Sequence, residues 1–204
     1  LILLLEFGFF ALVLAPRGGG PHTFANAGNV ALILKYSSIY GIAAIGASMI
    51  IGAGGIDLAP GAVIALASVV TGDLFVIGGW PLWAACLAGV GVGLGSGALA
   101  AVLVIAASLP PFIATLGVMG ITRGAAFLIT EGRFYDLSAR LAPETAPLGI
   151  ALSFWPGVIM LVLTIVFQMT MGRTALGRHI LATGGNEVAA RYAGVRVKRV
   201  KAFV

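Results

Sequence analysis

Charge is scarce in this 204-residue chain, where Asp, Glu, Lys and Arg together make up 9% of the residues. Soluble domains carry about 25%, so too few charged side chains are present to cover a water-facing surface. Cysteine is scarcer. The single Cys86 sits in an apolar run, which excludes a disulfide framework and a cysteine-based metal site. The two histidines, His22 and His179, fall in loops predicted on opposite sides and cannot share a site. The patterns H-E-x-x-H, G-x-S-x-G and G-x-x-x-x-G-K-[ST] are all missing, so no catalytic grouping and no phosphate loop is expected. Any ATP used with this chain has to be bound by another one.

What fills the sequence is apolar side chain, 60% of residues, and 30 glycines. That much burial potential excludes disorder. A helix crossing the hydrocarbon core needs about 20 mainly apolar residues, and such stretches lie near 1–15, 38–55, 61–77, 81–109, 112–130 and 154–171. The runs do not alternate apolar and polar, as in Ile159-Met160-Leu161-Val162-Leu163, which argues against barrel strands. The predicted fold is all-α: a polytopic transmembrane helical bundle of about six spans. The first stretch reads as a shortened span and Ala202-Phe203-Val204 as the opening of another, so a fragment truncated at both ends is expected.

Orientation follows from the basic residues, which stay cytoplasmic when they sit in short loops. Seven of the 12 lie between Arg173 and Lys201, against one acid, Glu187. Loop 131–149 is slightly acidic, with Glu131, Asp136 and Glu144 against Arg133 and Arg140, and is assigned outside. Counting back places loop 16–37 outside and the N-terminus in the cytoplasm, with Trp80, Trp83 and Trp155 at outer ends as interfacial anchors. The basic segment lies directly between two spans and lacks interleaved aromatics, so nucleic acid is not expected as a partner; anionic lipid is.

Three features interrupt the apolar pattern. Gly52-Ala53-Gly54-Gly55-Ile56-Asp57-Leu58-Ala59-Pro60-Gly61 puts glycines, a proline and a carboxylate between two spans. Irregular backbone at membrane depth is tolerated inside protein or beside a water-filled cavity, and broken helices recur in transporters. Asp57 with Pro60 also suits a helix start, Asp57 serving as N-cap; capping and a role in a translocation path are compatible. Gly89, Gly93 and Gly97 recur at four-residue spacing, which suits close helix packing in lipid. Gly93-Leu94-Gly95-Ser96-Gly97-Ala98 has the form of a dinucleotide fingerprint but lacks its βαβ setting. Arg123 lies within the 112–130 span in the company of Thr115 and Thr122, where an ion pair or an interfacial anchor is expected. Glu6 and Asp73 fall near span ends and are not read as catalytic.

The third feature is Gly177 to Val195. Asn186 reads as an N-cap, Glu187 favours the positive end of the helix dipole, and Gly194 closes a short helix. Such a helix suits docking into a partner's groove or lying on anionic lipid.

Three blocks together resemble the permease subunits of bacterial ABC sugar importers of the ribose/xylose type, in the branched binding-protein-dependent transport permease family. They are Gly177 to Lys201; Gly54-Gly55-Ile56-Asp57-Leu58 with Gly61 and the run to Val70; and Pro110-Pro111-Phe112-Ile113-Ala114-Thr115-Leu116-Gly117 through Arg123-Gly124 to Glu131-Gly132-Arg133. They spread over about two-thirds of the chain in that family's order. Ala59-Pro60 stands where the family more often has a serine and a small apolar residue, and Phe134 where a proline is common. The resemblance implies one transmembrane permease domain over 1–204, multi-pass in the bacterial cytoplasmic (inner) membrane, with 172–200 as its cytoplasmic coupling loop. It implies a pathway for a sugar or similar small polar solute, a non-enzymatic role, and no cofactor in this chain, ATP and Mg belonging to a cytoplasmic ATP-binding subunit. A periplasmic solute-binding protein and a second permease chain, identical or related, are the other implied partners. Coupling to the ATPase is assigned to Gly177, Arg178, Gly184, Gly185, Asn186, Glu187, Ala189, Ala190 and Gly194. The broken helix and pathway are assigned to Gly54, Gly55, Asp57, Gly61 and Thr115. The alternative is a secondary transporter or channel that needs no ATPase.

Overall fold

A computed structural model describes residues 2–13, 26–133, 135 and 155–204. Each apolar stretch becomes a helix, because a backbone that cannot bond to water must bond to itself. The order is α1 (Ile2–Val13), α2 (Ala27–Gly52), α3 (Pro60–Val76), α4 (Leu82–Ile105), α5 (Pro111–Thr130), α6 (Trp155–Arg173), α7 (Ala175–Gly185), α8 (Glu187–Tyr192) and α9 (Val197–Phe203). Among the described residues four helices are long and apolar enough to cross a membrane: Gly28–Gly52, Leu82–Ile105, Pro111–Thr130 and Trp155–Arg173. The shorter α3 is apolar too. No strand occurs among the described residues.

Two sequence expectations shift. Helix α2 begins at Ala27, so residues 27–37, read as part of an outer loop, are helical and continuous with the span. Residues 175–185, read as loop, form α7, because the Thr174 hydroxyl oxygen accepts a hydrogen bond from Gly177 N–H and supplies an N-cap. His22, Phe134, Asp136, Arg140 and Glu144 lie outside the described residues.

The chain divides into two compact units, 1–42 with 143–165 and 43–142 with 166–204. In the first, Gly41 faces the Met160 side chain and the buried Ser38 lies beside Gly157. In the second, α3 packs against α4 and α5, α4 touches α5 and α9, and α7, α8 and α9 pack together. Ala53, Ile180 and Val200 form the core of that last group, with Met49, Met171, Leu176 and Val195 around them. Outside such contacts the apolar side chains are bare: Leu94 is 71% exposed and Leu128 77%. Faces of this kind are at home in lipid or against further protein.

The glycines at four-residue spacing on α4 divide in their surroundings. A Cβ on Gly89 would run into the Thr71 hydroxyl and lie 3.2 Å from Ala67 O, so this residue sets the approach of α3 to α4. Gly93 and Gly97, like Gly91 and Gly95, have open space where a Cβ would stand. Gly89→Val is therefore expected to force α3 and α4 apart and lower the thermal midpoint of the detergent-solubilised protein by several degrees. Gly91→Ala is expected to leave it unchanged or raise it, since alanine favours a helix over glycine by about 1 kcal/mol.

Candidate functional site: a glycine elbow, a cavity and a capped double helix

The interruption between α2 and α3 is an ordered elbow. Gly54 lies at φ 81°, which favours glycine. Gly54 N–H donates to Ile51 O and Gly55 N–H to Ile50 O, both at 2.9 Å. This is a Schellman closure, which satisfies the last carbonyls of α2. Farther on, Leu58 N–H donates to the Thr115 hydroxyl oxygen at 3.2 Å, and Ala59 N–H donates to Asp57 Oδ1 at 2.8 Å. The Thr115 hydroxyl proton lies within reach of Ile56 O and Phe112 O. Asp57 thus closes an Asx turn in place of the expected N-cap; the N-cap position is Ala59, with no side-chain cap, and Pro60 opens α3. The reason is steric economy: proline at the first helical position has no N–H to satisfy. Thr115, 6% exposed, holds the elbow to the first turn of α5.

A second ordered unit follows α6. Asn186 is extended (φ −158°, ψ 104°) and serves both neighbours: its N–H donates to Ala182 O, ending α7, and its Oδ1 accepts Ala189 N–H, starting α8. At the other end Gly194 (φ 84°) closes α8, with Gly194 N–H on Arg191 O and Val195 N–H on Ala190 O. Glu187 links α8 to α9. Oε1 accepts from Arg191 at 2.9 Å, one turn on, and Oε2 accepts from Lys201 of α9 at 2.7 Å. Lys201's hydrogen bond, more than the charges of Lys201 and Arg191, holds the Glu187 carboxyl below its ordinary pKa against a smaller opposing effect of burial.

A cavity of about 690 Å³ lies between these parts, bordered by Gly54 to Asp57, Gly93, Gly97, Thr115, Thr183 to Glu187, and Lys201 to Val204. That volume falls within the range of small-ligand sites, about 300–1,000 Å³. Its walls are apolar or backbone, with Asp57, Thr115, Thr183, Asn186, Glu187 and Lys201 as the polar residues that line it. The elbow residues Gly54, Gly55, Asp57 and Thr115 therefore meet Gly184, Gly185, Asn186 and Glu187 around one space. Gly61 does not border it and stands in the open first turn of α3. Gly177 and Ala190 are buried, whereas Arg178 and Ala189 face outward. Val188 (63% exposed) and Tyr192 (90%) sit four residues apart on α8 and present an apolar strip.

Residues 29–204 match the family described as branched-chain amino acid transport system / permease component. The chain belongs to this family. Its apolar helices and its family together make it an integral membrane protein of the permease type. It is 33% identical over 208 residues to the fructose import permease protein of Rhizobium meliloti, covering 98% of this chain and 56% of that one. It is 34% identical over 194 residues to the D-allose transport system permease protein of Escherichia coli, covering 94% and 59%. The autoinducer 2 import system permease protein of Yersinia enterocolitica is 33% identical over 173 residues, covering 84% and 48%. The chain thus spans about half the length of the curated relatives it matches. No solved structure matches it.

Sequence reasoning missed the partners more than the positions. Ile180, fully buried, and Lys201 were not singled out, although Gly177, Ile180 and Gly184 fall on one helical face by spacing alone. It also missed that Tyr135 OH donates to Asp73 Oδ1 at 3.0 Å while its ring lies on Gly72. Partial burial first, then the Asp73 contact, raises the Tyr135 pKa above that of an ordinary phenol. Arg123 is exposed on α5 and makes no ion pair among the described residues.

Thr115→Val removes the acceptor for Leu58 N–H and is expected to cost about 1 kcal/mol locally. Hydrogen exchange should read this as roughly fivefold faster exchange at Leu58, and Thr115→Ser should restore protection. For Glu187, a depressed folded-state pKa means that its stabilising bond to Lys201 is fully present above the unfolded value and lost as pH falls through the folded one. Exchange protection over 187–201 should hold from neutral pH down to about 4.3, the ordinary glutamate value, and decline below it; Glu187→Gln should remove that acid limb.

Proposed function

We propose that this chain is the membrane-pathway subunit of an ATP-driven importer for a sugar or a similar small polar solute. The observation that carries the proposal is the meeting of an ordered elbow with a doubly capped helical pair around one cavity. An elbow with satisfied backbone groups beside a polar-edged space provides a place where a hydroxylated solute exchanges water for protein. A rigid outward-facing pair, α7–α8, provides a handle for another chain. The names of the fructose and autoinducer 2 relatives support import as the direction, and those of the fructose and D-allose relatives support a sugar as the cargo.

In this reading the basic segment 172–200 lies in the cytoplasm of a bacterial cell and the N-terminus on the same side, in the inner membrane. The apolar strip of Val188 and Tyr192, flanked by Arg191, enters a groove on an ATP-binding subunit, helix against groove. ATP and Mg are held by that subunit, and this chain is not itself an enzyme. A periplasmic solute-binding protein delivers cargo to the outer face. A second permease chain, a copy or a relative, completes the walls of the pathway, and the bare apolar faces of α4 and α5 are available for it or for lipid. Closure of the ATPase dimer shifts α7–α8 as one body, and the spans reorient.

The full-length protein, co-expressed with the ATP-binding subunit and solute-binding protein of its importer and reconstituted into liposomes, tests this. ATP-dependent, binding-protein-stimulated hydrolysis is expected, together with co-purification of all three chains. Uptake that proceeds without any ATPase subunit would establish the secondary-transporter or channel reading instead. Glu187→Lys places a cation beside Arg191 and Lys201. It is expected to leave membrane insertion intact and abolish solute-stimulated ATP hydrolysis; a variant that couples normally would remove Glu187 from the coupling unit.

A further inference from the structure

One face of α7 is built from Gly177, Ile180 and Gly184, spaced three and four residues apart, and it is the face that touches other backbone. At its start, a Cβ on Gly177 would lie 2.5 Å from Thr170 O and 2.6 Å from Met171 Cα, so α7 is folded directly onto the end of α6. In its middle, Ile180 is fully buried and its Cγ2 lies 3.5 Å from where a Cβ of Gly52 would stand. At its end, a Cβ on Gly184 would overlap Gly52 O and lie 2.9 Å from Gly54 N, while a Cβ on Gly54 would lie 3.2 Å from Gly184 Cα. Two main chains therefore touch with no side chain between them. By contrast, Gly185, the next residue, has nothing within 4 Å of its Cβ position.

Contact through side chains yields by rotamer change, whereas backbone against backbone has no soft degree of freedom to absorb a displacement. The elbow on the receiving side is itself fixed, at α2 by its Schellman closure and at α5 by Thr115. We infer that Gly184 and Gly54 form the transmission contact of this permease: a backbone knuckle that passes displacement of α7–α8 to the elbow and so to the cavity edge that carries Asp57. Gly184 is a positioning residue acting through Gly54. The inference rests on the proposal that α7–α8 is moved by an ATPase, and it names the place where that motion enters the pathway.

The test uses the full-length permease with its ATPase and binding protein in liposomes, in a Cys86→Ser background. Two reporters are read separately by maleimide labelling rate, with and without ATP plus vanadate: Ala193→Cys at the end of α8 and Ile56→Cys in the elbow, both at exposed side chains. In the otherwise unaltered chain both rates are expected to change with nucleotide. With Gly184→Ala added, the α8 reporter should still respond, the elbow reporter should not, and binding-protein-stimulated hydrolysis should fall by about tenfold or more, the equivalent of an overpacking penalty expressed as a rate. Gly172→Ala, at a glycine outside the coupling set with open space at its Cβ position, should behave as unaltered. Ile180→Ala, which loosens the same contact without adding bulk, should give the same separation of reporters and serves if Gly184→Ala fails to assemble. An elbow reporter that follows nucleotide as before in either assembled variant overturns the transmission contact while leaving the proposed function standing. An α8 reporter silent in the unaltered chain overturns the proposed function, and the inference with it.

Discussion

The structure depends on how backbone polar groups are satisfied where helix α2 stops. In a medium without water, each unbonded N–H or C=O costs several kcal/mol, so a chain that abandons helical bonding at Gly52 must find partners at once. It finds them in its own last turn, through Gly54 and Gly55; in a carboxylate two residues away, Asp57 to Ala59; and in a distant hydroxyl, Thr115 to Leu58. Only the last of these reaches outside the segment. It is also the one that fixes the elbow relative to α5, and hence fixes the polar edge of the cavity against the small-residue face of α4. Proline at position 60 then lets α3 resume without a missing donor.

The α7–α8 pair is ordered by a different economy. It is short and largely solvent-facing, so it cannot be held by burial alone. One residue, Asn186, terminates one helix and caps the next, which removes any flexible linker between them. Glu187 then ties the second helix both to itself and to α9. Exposed ion pairs contribute little individually, but this carboxylate serves two cations on two elements and acts as a geometric clamp more than as a source of stability. A body built this way is stiff at its tip and buried at its root, through Ile180, Val197 and Val200, which is what a lever acted on by another chain requires.

How much of this was legible is seen residue by residue. The spans were readable because lipid demands long apolar helices, and α3 to α6 begin and end within a few residues of the apolar runs. Asn186 as N-cap and Gly194 as closure were readable because capping is local chemistry with strong residue preferences. The start of α2 was not: Asn29 and Lys35 make 27–37 look like loop, yet helical bonding continues through them once the span has nucleated. Helix α7 was hidden because Gly177, Gly184 and Gly185 read as breakers, while here Gly177 and Gly184 are required by contacts that no local pattern reveals. Likewise Asp57 reads as an N-cap from its position before Pro60, and the Asx turn displaced it by two residues.

Composition and periodicity alone therefore determined that the chain is a membrane-embedded helical protein, where α3 to α6 lie, and that its exposed basic segment carries a capped helix. These follow from interactions within a few residues, or from the solvent itself. Only the tertiary structure decided that Thr115 bonds a segment 57 residues away, that Lys201 holds Glu187, and that Gly184 meets Gly54 main chain to main chain. Such pairings depend on how rigid helices stack, and stacking leaves no periodic trace in the order of the amino acids.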